Sequence, residues 1–533
     1  MKLLRRLPRR DADRRVGLAA AAALAVAAAL AVAAAWMAWA LRHTYVGDAT
    51  IYLPFARNAA HGDFFSFNPH QFSSGTTSPL WSLLLAPAYA AGADDGGAKA
   101  IAAVATLGAL GLVIEAARRT TGSLVAACVA SFLLVPTLGD FGPLGYETPL
   151  AVGLVAASVI LGHRLVRRAN SGRPIAGRDV APLALVWAAI PLARPEAVVL
   201  VPLEALVLSR LGGPRLRGRP WVLAMGAALA LLPAIAYFGY SEVDLGTLST
   251  SAGARTAVLR ELSERFGPLY FGRASLDYLT STPFVLGLVP GLAGLWLLVR
   301  TPVTRWLGAY GGVAFAAYFL YVTFVSPAGI QSARYLTPAA VFVAIGLARV
   351  MAAPRRSTAR ALAVVLAAAV VAAPSLHSAR DEVRRQRAAG YTFDEVTEGG
   401  AARVVARVAR PGDGVLTHEV QVRLPLRSDL DVLSLDGVTD GKVIPYMERD
   451  DIDGFLRRYR PRFWISYAPA LLARQTAFRH SALMTVALRF AHDPRVRRVT
   501  ADGITFRQLA VRRTGPLVVV GGWTHVYELT YDG

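Results

Sequence analysis

The chain has 533 residues, of which 54% are apolar and only 17% charged, with a mean hydropathy of +0.41. That balance excludes an ordinary water-soluble protein, in which about a quarter of residues are charged. The formal charge of +21 invites a nucleic-acid partner. The arginines, however, cluster in short stretches between apolar blocks, the pattern that sets membrane orientation. Loose basic tails or aromatic-interleaved patches would be needed for the other reading, so no nucleic acid is expected.

Residues 1–15 form a basic N-terminus, and Val16–Leu41 follows without a single charge. That apolar run is longer than the about 7–15 residues of a signal-peptide core, and Arg42-His43-Thr44 is a poor cleavage site. A retained first membrane helix is expected, since about 20 apolar residues span a bilayer. Asp48 then falls at the water–membrane boundary, at the head of a polar, aromatic loop (42–81). The segment Pro79–Ala91 is too short to cross and reads as a helix lying in the interface.

Ten further apolar blocks fall at 98–117, 123–139, 148–162, 180–193, 197–209, 220–240, 276–299, 306–325, 335–350 and 359–375. With the first they make about eleven transmembrane helices in a membrane domain of residues 16–375. The N-terminus is then inside and residues 376–533 are outside. Counting Lys and Arg tests the assignment: the inner segments carry 24 and the longer outer loops 9. Moving the interfacial helix into the bilayer would invert everything after it and destroy that bias.

On this topology four polar groupings share the outer face. They are the loop from Asp48 to Trp81, which includes Arg57; Asp140 to Thr148, which includes Tyr146 and Glu147; Arg194-Pro195-Glu196; and Gly329 to Tyr335, which includes Arg334. Ionisable groups at membrane depth are expensive and face a cavity or one another. The set suggests transfer of a group from a lipid phosphate. Asp48 is the candidate general base on an acceptor hydroxyl, and Arg194 or Arg334 the candidate phosphate clamp. Glu147 and Glu196 would orient sugar hydroxyls or the arginines, while Tyr146 and Tyr52 would stack on a sugar ring. Plainer readings stay open. Asp48 can cap the helix after it, and Arg194 can snorkel from a helix break.

Other chemistries find little support in the residues. Cys128 is the only cysteine, so neither an intrachain disulfide nor a cysteine-rich metal site is possible. His43, His61 and His70 lack the i, i+4 spacing of a helical metal site. Nothing resembles a nucleotide-cradling glycine loop, and no cofactor or metal is expected.

The loop Asp48-Ala49-Thr50-Ile51-Tyr52-Leu53-Pro54-Phe55-Ala56-Arg57-Asn58, with Gly62, Phe67-Asn68-Pro69 and Gly75 to Trp81, resembles the first outer loop of GT-C membrane glycosyltransferases. The nearest group is the bacterial arabinofuranosyltransferase-like branch, which uses polyprenyl-phosphate sugars. Gly145 to Leu150, Arg194-Pro195-Glu196, Arg334 to Pro338 and Leu433 to Asp440 look like further signatures of it. Gly47 stands where the family often has a second acid, Thr76 where an aromatic is common, and Ser73-Ser74 in place of an acid. These departures lie where sugars would be read. The resemblance implies an inverting transferase with Asp48 as base and a polyprenyl phosphate as leaving group. The acceptor would be a cell-envelope glycan or lipid at the outer face of the cytoplasmic membrane. A lipid-sugar flippase and a non-catalytic assembly protein are the rivals, though no internal repeat of the transporter kind is visible.

From 376 the composition changes. A charged helical linker (376–400) leads into short β-type runs at Gly414–Thr417, Leu430–Leu433, Phe463–Ser466 and Leu517–Val520, alternating with helical stretches such as 448–459. An α/β soluble domain is expected, in which Asp436 and His418 merit mutation.

Overall fold

The computed structural model describes residues 49–135, 145–248, 282–321, 332–352, 397–417, 429–435, 441–466, 478–493, 496–513 and 523–532, most of 31–42 and isolated positions elsewhere. Asp48, Asp140, Gly329 to Gln331, the block 359–375, His418, Asp436 and Leu517–Val520 lie outside the described residues.

The first outer loop contains two helices, α1 (Ala49–Ala60) and α2 (Pro79–Ala90). The bundle follows as α3 (Asp94–Thr121), α4 (Leu124–Ser131, continued by a 3-10 turn to Leu134), α5 (Thr148–Asn170), α6 (Gly177–Ala193) and α7 (Leu200–Leu211). It is completed by α8 (Pro220–Leu245), α9 (Thr282–Val299), α10 (Arg305–Leu320) and α11 (Ser332–Met351). Each coincides with one of the apolar blocks. Their ends follow local chemistry. Gly122 stops α3 and Gly246 stops α8 in the left-handed conformation. Pro149 and Pro220 occupy the first turns of α5 and α8, where no N–H is needed.

Among the described residues, four helices are long and apolar enough to cross a bilayer, namely α3, α5, α8 and α11. The others are shorter, so the structure bears out a multi-pass helical membrane protein but not a count of eleven. Trp221, Met225, Leu229, Leu232 and Ile235 recur at helical spacing along α8, each 53–61% exposed. Such a stripe belongs in hydrocarbon, because a soluble protein would bury it. In the interior, α9 and α11 cross with almost no space between backbones: a Cβ on Gly294 would strike the Gly346 carbonyl. Small residues at such crossings are what permits close helix approach in a membrane, where hydrophobicity drives no association.

The C-terminal region is α/β, as expected. After α12 (Thr397–Val408), strands β1 (Gly414–Thr417), β2 (Asp431–Ser434) and β3 (Phe463–Ser466) pair in parallel, with α13 (Ile452–Tyr459) between the last two. Helix α14 (Ala482–His492) precedes β4 (Arg498–Ala501), β5 (Ile504–Arg513) and β6 (Trp523–Tyr531), which are antiparallel. The sheet order is β2-β1-β3-β6-β5-β4. Sequence patterning missed the antiparallel half, since β4 to β6 interleave their apolar residues with Arg, Gln, Thr, His and Glu and hold no apolar run longer than three. Across it, Arg462 pairs with Asp413 at 2.7 Å and Glu528 at 3.1 Å, and Arg507 also reaches Glu528.

What positions the site is α1, sandwiched between the bundle and this domain. Its Ile51 and Phe55 share a core with Phe67, Val415, Val432, Ile465 and Val526. Its Tyr52, Leu53 and Ala56 pack instead on Trp81, Leu85 and Ala102. The loop is pinned too. Asn68 donates to the Val432 carbonyl at 2.9 Å and accepts from its N–H at 3.0 Å, completing the edge of β2. Ser73 also donates to the Thr439 carbonyl.

Candidate active site

The site is built where helix ends meet. Helix α5 starts just after Glu147, behind a Gly145 turn with φ of +102°. That turn is held by Trp81, whose indole N–H donates to the Gly145 carbonyl at 2.8 Å. Helix α6 breaks at Arg194, which is extended (φ −152°, ψ +109°) ahead of a 3-10 turn beginning at Pro195. Proline removes the N–H that would have continued the helix, so the break turns Arg194 inward. Arg334 lies in the first turn of α11.

These three residues meet, though 140 positions separate the two arginines. Arg194 Nη1 lies 2.7 Å from Glu147 Oε1, and Arg334 Nε lies 3.7 Å from the same oxygen. Arg194 Nε lies 3.2 Å from Glu196 Oε1, and its Nη2 donates to the Arg334 carbonyl at 3.2 Å. Tyr52 donates to the second Glu147 oxygen at 2.6 Å and exchanges a 2.8 Å hydrogen bond with Thr77. The first loop is thereby tied to the cluster. Aromatic faces complete the cage: Arg334 stands 4.8 Å from the Tyr146 ring centre and Arg194 4.4 Å from that of Tyr335.

Glu147, Arg194 and Arg334 are all at most 1% exposed. Burial alone would raise the Glu147 carboxyl, but the Arg194 and Arg334 charges and the Tyr52 hydroxyl outweigh it and hold it below its ordinary range. It is therefore a carboxylate, and with Glu196 it offsets the two guanidinium charges. Arg194 lies close to two carboxylates, Glu147 and Glu196, and Arg334 lies by Glu147 and against the Tyr146 and Tyr335 rings.

Of the residues singled out in the sequence, Glu147, Arg194, Glu196, Arg334, Tyr146 and Tyr52 are brought together. Tyr52 and Tyr146, 0% and 3% exposed, turn their polar groups and faces to this cluster and present no ring to solvent. Arg57 lies elsewhere. It is further along α1 and interacts with Asp95, which accepts from Tyr89, near Lys99, whose ammonium donates to the Leu41 carbonyl at 3.0 Å. Ala49, the residue after Asp48, is buried beside Gly145, 4.0 Å from where a Cβ would stand there. Sequence reading passed over Thr77 as a partner of Tyr52. It also passed over Glu204, which accepts from Trp187 at 2.9 Å inside the bundle; a lone acid in the apolar block 197–209 was the available signal.

No known family profile and no curated protein is similar to the chain in sequence. Solved structures share its fold. ArnT from Cupriavidus metallidurans, bound to undecaprenyl phosphate, matches 96% of this chain and 97% of its own with a TM-score of 0.55 at 14% identity. The archaeal oligosaccharyltransferase AglB from Archaeoglobus fulgidus, in complex with an inhibitory peptide and a dolichol-phosphate, matches 88% of this chain and 72% of its own at 0.55 and 12% identity. The mycobacterial arabinofuranosyltransferase AftD matches 94% of this chain and 41% of its own at 0.50 and 15% identity. The chain has the GT-C fold that these share. At such identities the likeness is one of fold, and the chemistry must be argued from the site.

Proposed function

We propose that this chain is an inverting, polyprenyl-phosphate-sugar-dependent glycosyltransferase of the cytoplasmic membrane. Its acceptor is a cell-envelope glycan or lipid on the outer face. The observation that carries the reading is the convergence of Glu147, Arg194 and Arg334 with Tyr52 of α1, the helix that begins one residue after Asp48. Asp48 takes the proton from an acceptor hydroxyl while that oxygen attacks the anomeric carbon. The bond from that carbon to the phosphate oxygen breaks, and polyprenyl phosphate leaves with the electron pair. One displacement inverts the anomeric configuration.

The arginines divide the remaining work. Arg334, in the first turn of α11 and against the Tyr146 ring, stabilises the charge growing on the departing phosphate. Arg194 and Glu147 are positioning residues: they fix Arg334, Tyr52 and the start of α5. Glu196 keeps Arg194 in place. The domain limits (1–15, 16–375, 376–533) and the orientation, with the C-terminal domain outside, rest on the distribution of arginine and lysine.

The decisive experiment incubates the purified protein in nanodiscs with a panel of polyprenyl-phosphate pentoses and hexoses. Sugar transfer with release of polyprenyl phosphate is expected for one donor, arabinofuranose among them. A chain that moves lipid-linked sugars between leaflets of a vesicle without breaking that bond would be a flippase instead. Arg334→Ala is expected to raise the donor concentration for half-maximal rate at least tenfold, since a hydrogen bond to a charged group contributes roughly 1.5–3 kcal/mol. An unchanged donor requirement removes the phosphate role from Arg334.

A further inference from the structure

A second recess lies away from the Glu147 cluster, between the first loop, the end of α8 and the C-terminal domain. It has a volume of about 580 Å³, within the range of small-molecule sites. His70, Gln71 and Phe72 come from the loop, Tyr240 and Asp244 from α8, and Lys442 from the segment after β2. Lys442 donates to Gln71 Oε1 at 2.8 Å and lies 3.7 Å from Asp431. Phe72 stands edge-on to Tyr240, centroids 4.6 Å apart, and Tyr240 as a residue is 54% exposed.

Next to it runs a groove of about 400 Å³, lined by Phe65, Leu80, Leu83, Leu192 and Tyr237. The two share Phe72 and Tyr240, and Leu192 places the groove two residues from Arg194. The loop carries backbone strain at both places. His70 and Phe65 are left-handed, with φ of +62° and +56°; for Phe65 this is an outlier that persists where structure over-determines it, whereas histidine adopts it more readily. One of the two lines the polar recess and the other the apolar groove.

We propose that the recess binds the saccharide head of the acceptor, a lipid-linked glycan whose hydrocarbon lies in the adjoining groove. An exposed tyrosine suits the apolar face of a sugar ring. The amide, imidazole, carboxylate and ammonium around it supply both donors and acceptors for hydroxyls. The charges are mixed, Asp244 and Asp431 standing against Lys442, which favours a neutral ligand over a nucleotide or a polyanion. The proposal rests on the transferase reading above, and it separates the acceptor subsite from the donor phosphate at Arg334.

The test uses the full chain in nanodiscs, with octyl-linked trisaccharides of pentofuranose and hexopyranose as probes and binding read by saturation-transfer NMR. At least one is expected to bind. Tyr240→Ala and Asp244→Asn, both at exposed positions, are expected to weaken that binding about tenfold, the scale of one well-placed contact. With a transferring donor, Tyr240→Ala should raise the acceptor KM and leave the donor KM unchanged. Absence of binding by every probe, or binding untouched by both variants, overturns the subsite while leaving the transferase standing. A raised donor KM instead assigns the recess to the donor sugar and overturns the acceptor role. Failure of transfer with every donor defeats the transferase reading, whatever the binding shows.

Discussion

Asp48→Asn is expected to abolish sugar transfer while the protein accumulates in the membrane at the parent level. A positioned general base contributes about 10²- to 10⁴-fold to a rate, and asparagine keeps the shape of aspartate but cannot take a proton. The substitution also separates catalysis from capping. Helix α1 begins at Ala49, so a residue before it can cap the helix, and asparagine caps about as well as aspartate. Asp48→Ser adds a second check, since serine is also a good cap with no basicity. Both variants should be inactive and as thermally stable as the parent. Transfer at the parent rate by Asp48→Asn in purified form refutes the base. A matching loss of stability and activity in both would return Asp48 to a purely structural role.

That prediction gains force from the setting of α1. Ten of its twelve residues are buried, with Ile51 and Phe55 in the core of the α/β domain and Tyr52, Leu53 and Ala56 against α2 and α3. A helix held on two faces is a rigid mount for the residue attached to its start, and catalytic geometry tolerates little displacement.

Much of this was legible in the sequence, for identifiable reasons. The bundle helices could be read because each is one apolar block bounded by proline, glycine or arginine, and these act locally. The half-length blocks on either side of Arg194 proved to be α6 and the turn leading to α7, broken where Arg194-Pro195 breaks them. Glu147, Arg194 and Arg334 stood out because charge at a helix end in a membrane is costly unless met by charge. The limits were equally physical. The 364-residue separation of Asn68 from Val432 leaves no local trace, although their paired hydrogen bonds fix the loop on the domain. Burial of Tyr52 and Tyr146 depends on which side of α1 and of the Gly145 turn faces inward, and this is set by tertiary packing. The antiparallel strands β4 to β6 form a half-exposed layer whose polar alternation resembles a loop.

Glu147→Gln is expected to destabilise the protein by roughly 3–5 kcal/mol, the penalty for removing one partner of a buried ion pair. Glutamine retains the volume and can still accept from Tyr52. What it removes is the charge opposite Arg194 at 2.7 Å and Arg334 at 3.7 Å, leaving two buried guanidinium groups with one negative charge fewer beside them. The expected result is a lowered unfolding temperature in detergent and reduced yield in membranes. The sharper test is the double variant Glu147→Gln/Arg334→Met, which also takes out one of the two positive charges. If the cluster is held by charge balance, the double variant is more stable than Glu147→Gln alone, a non-additivity that only interacting residues show. Its donor requirement is raised as that of Arg334→Ala is, because the group assigned to the departing phosphate is gone. If the two substitutions simply add, or if Glu147→Gln unfolds at the parent temperature, then packing and not electrostatics holds these helix ends together. Arg334 would then be placed by its tyrosine cage, and Glu147 would have no positioning role in the transfer.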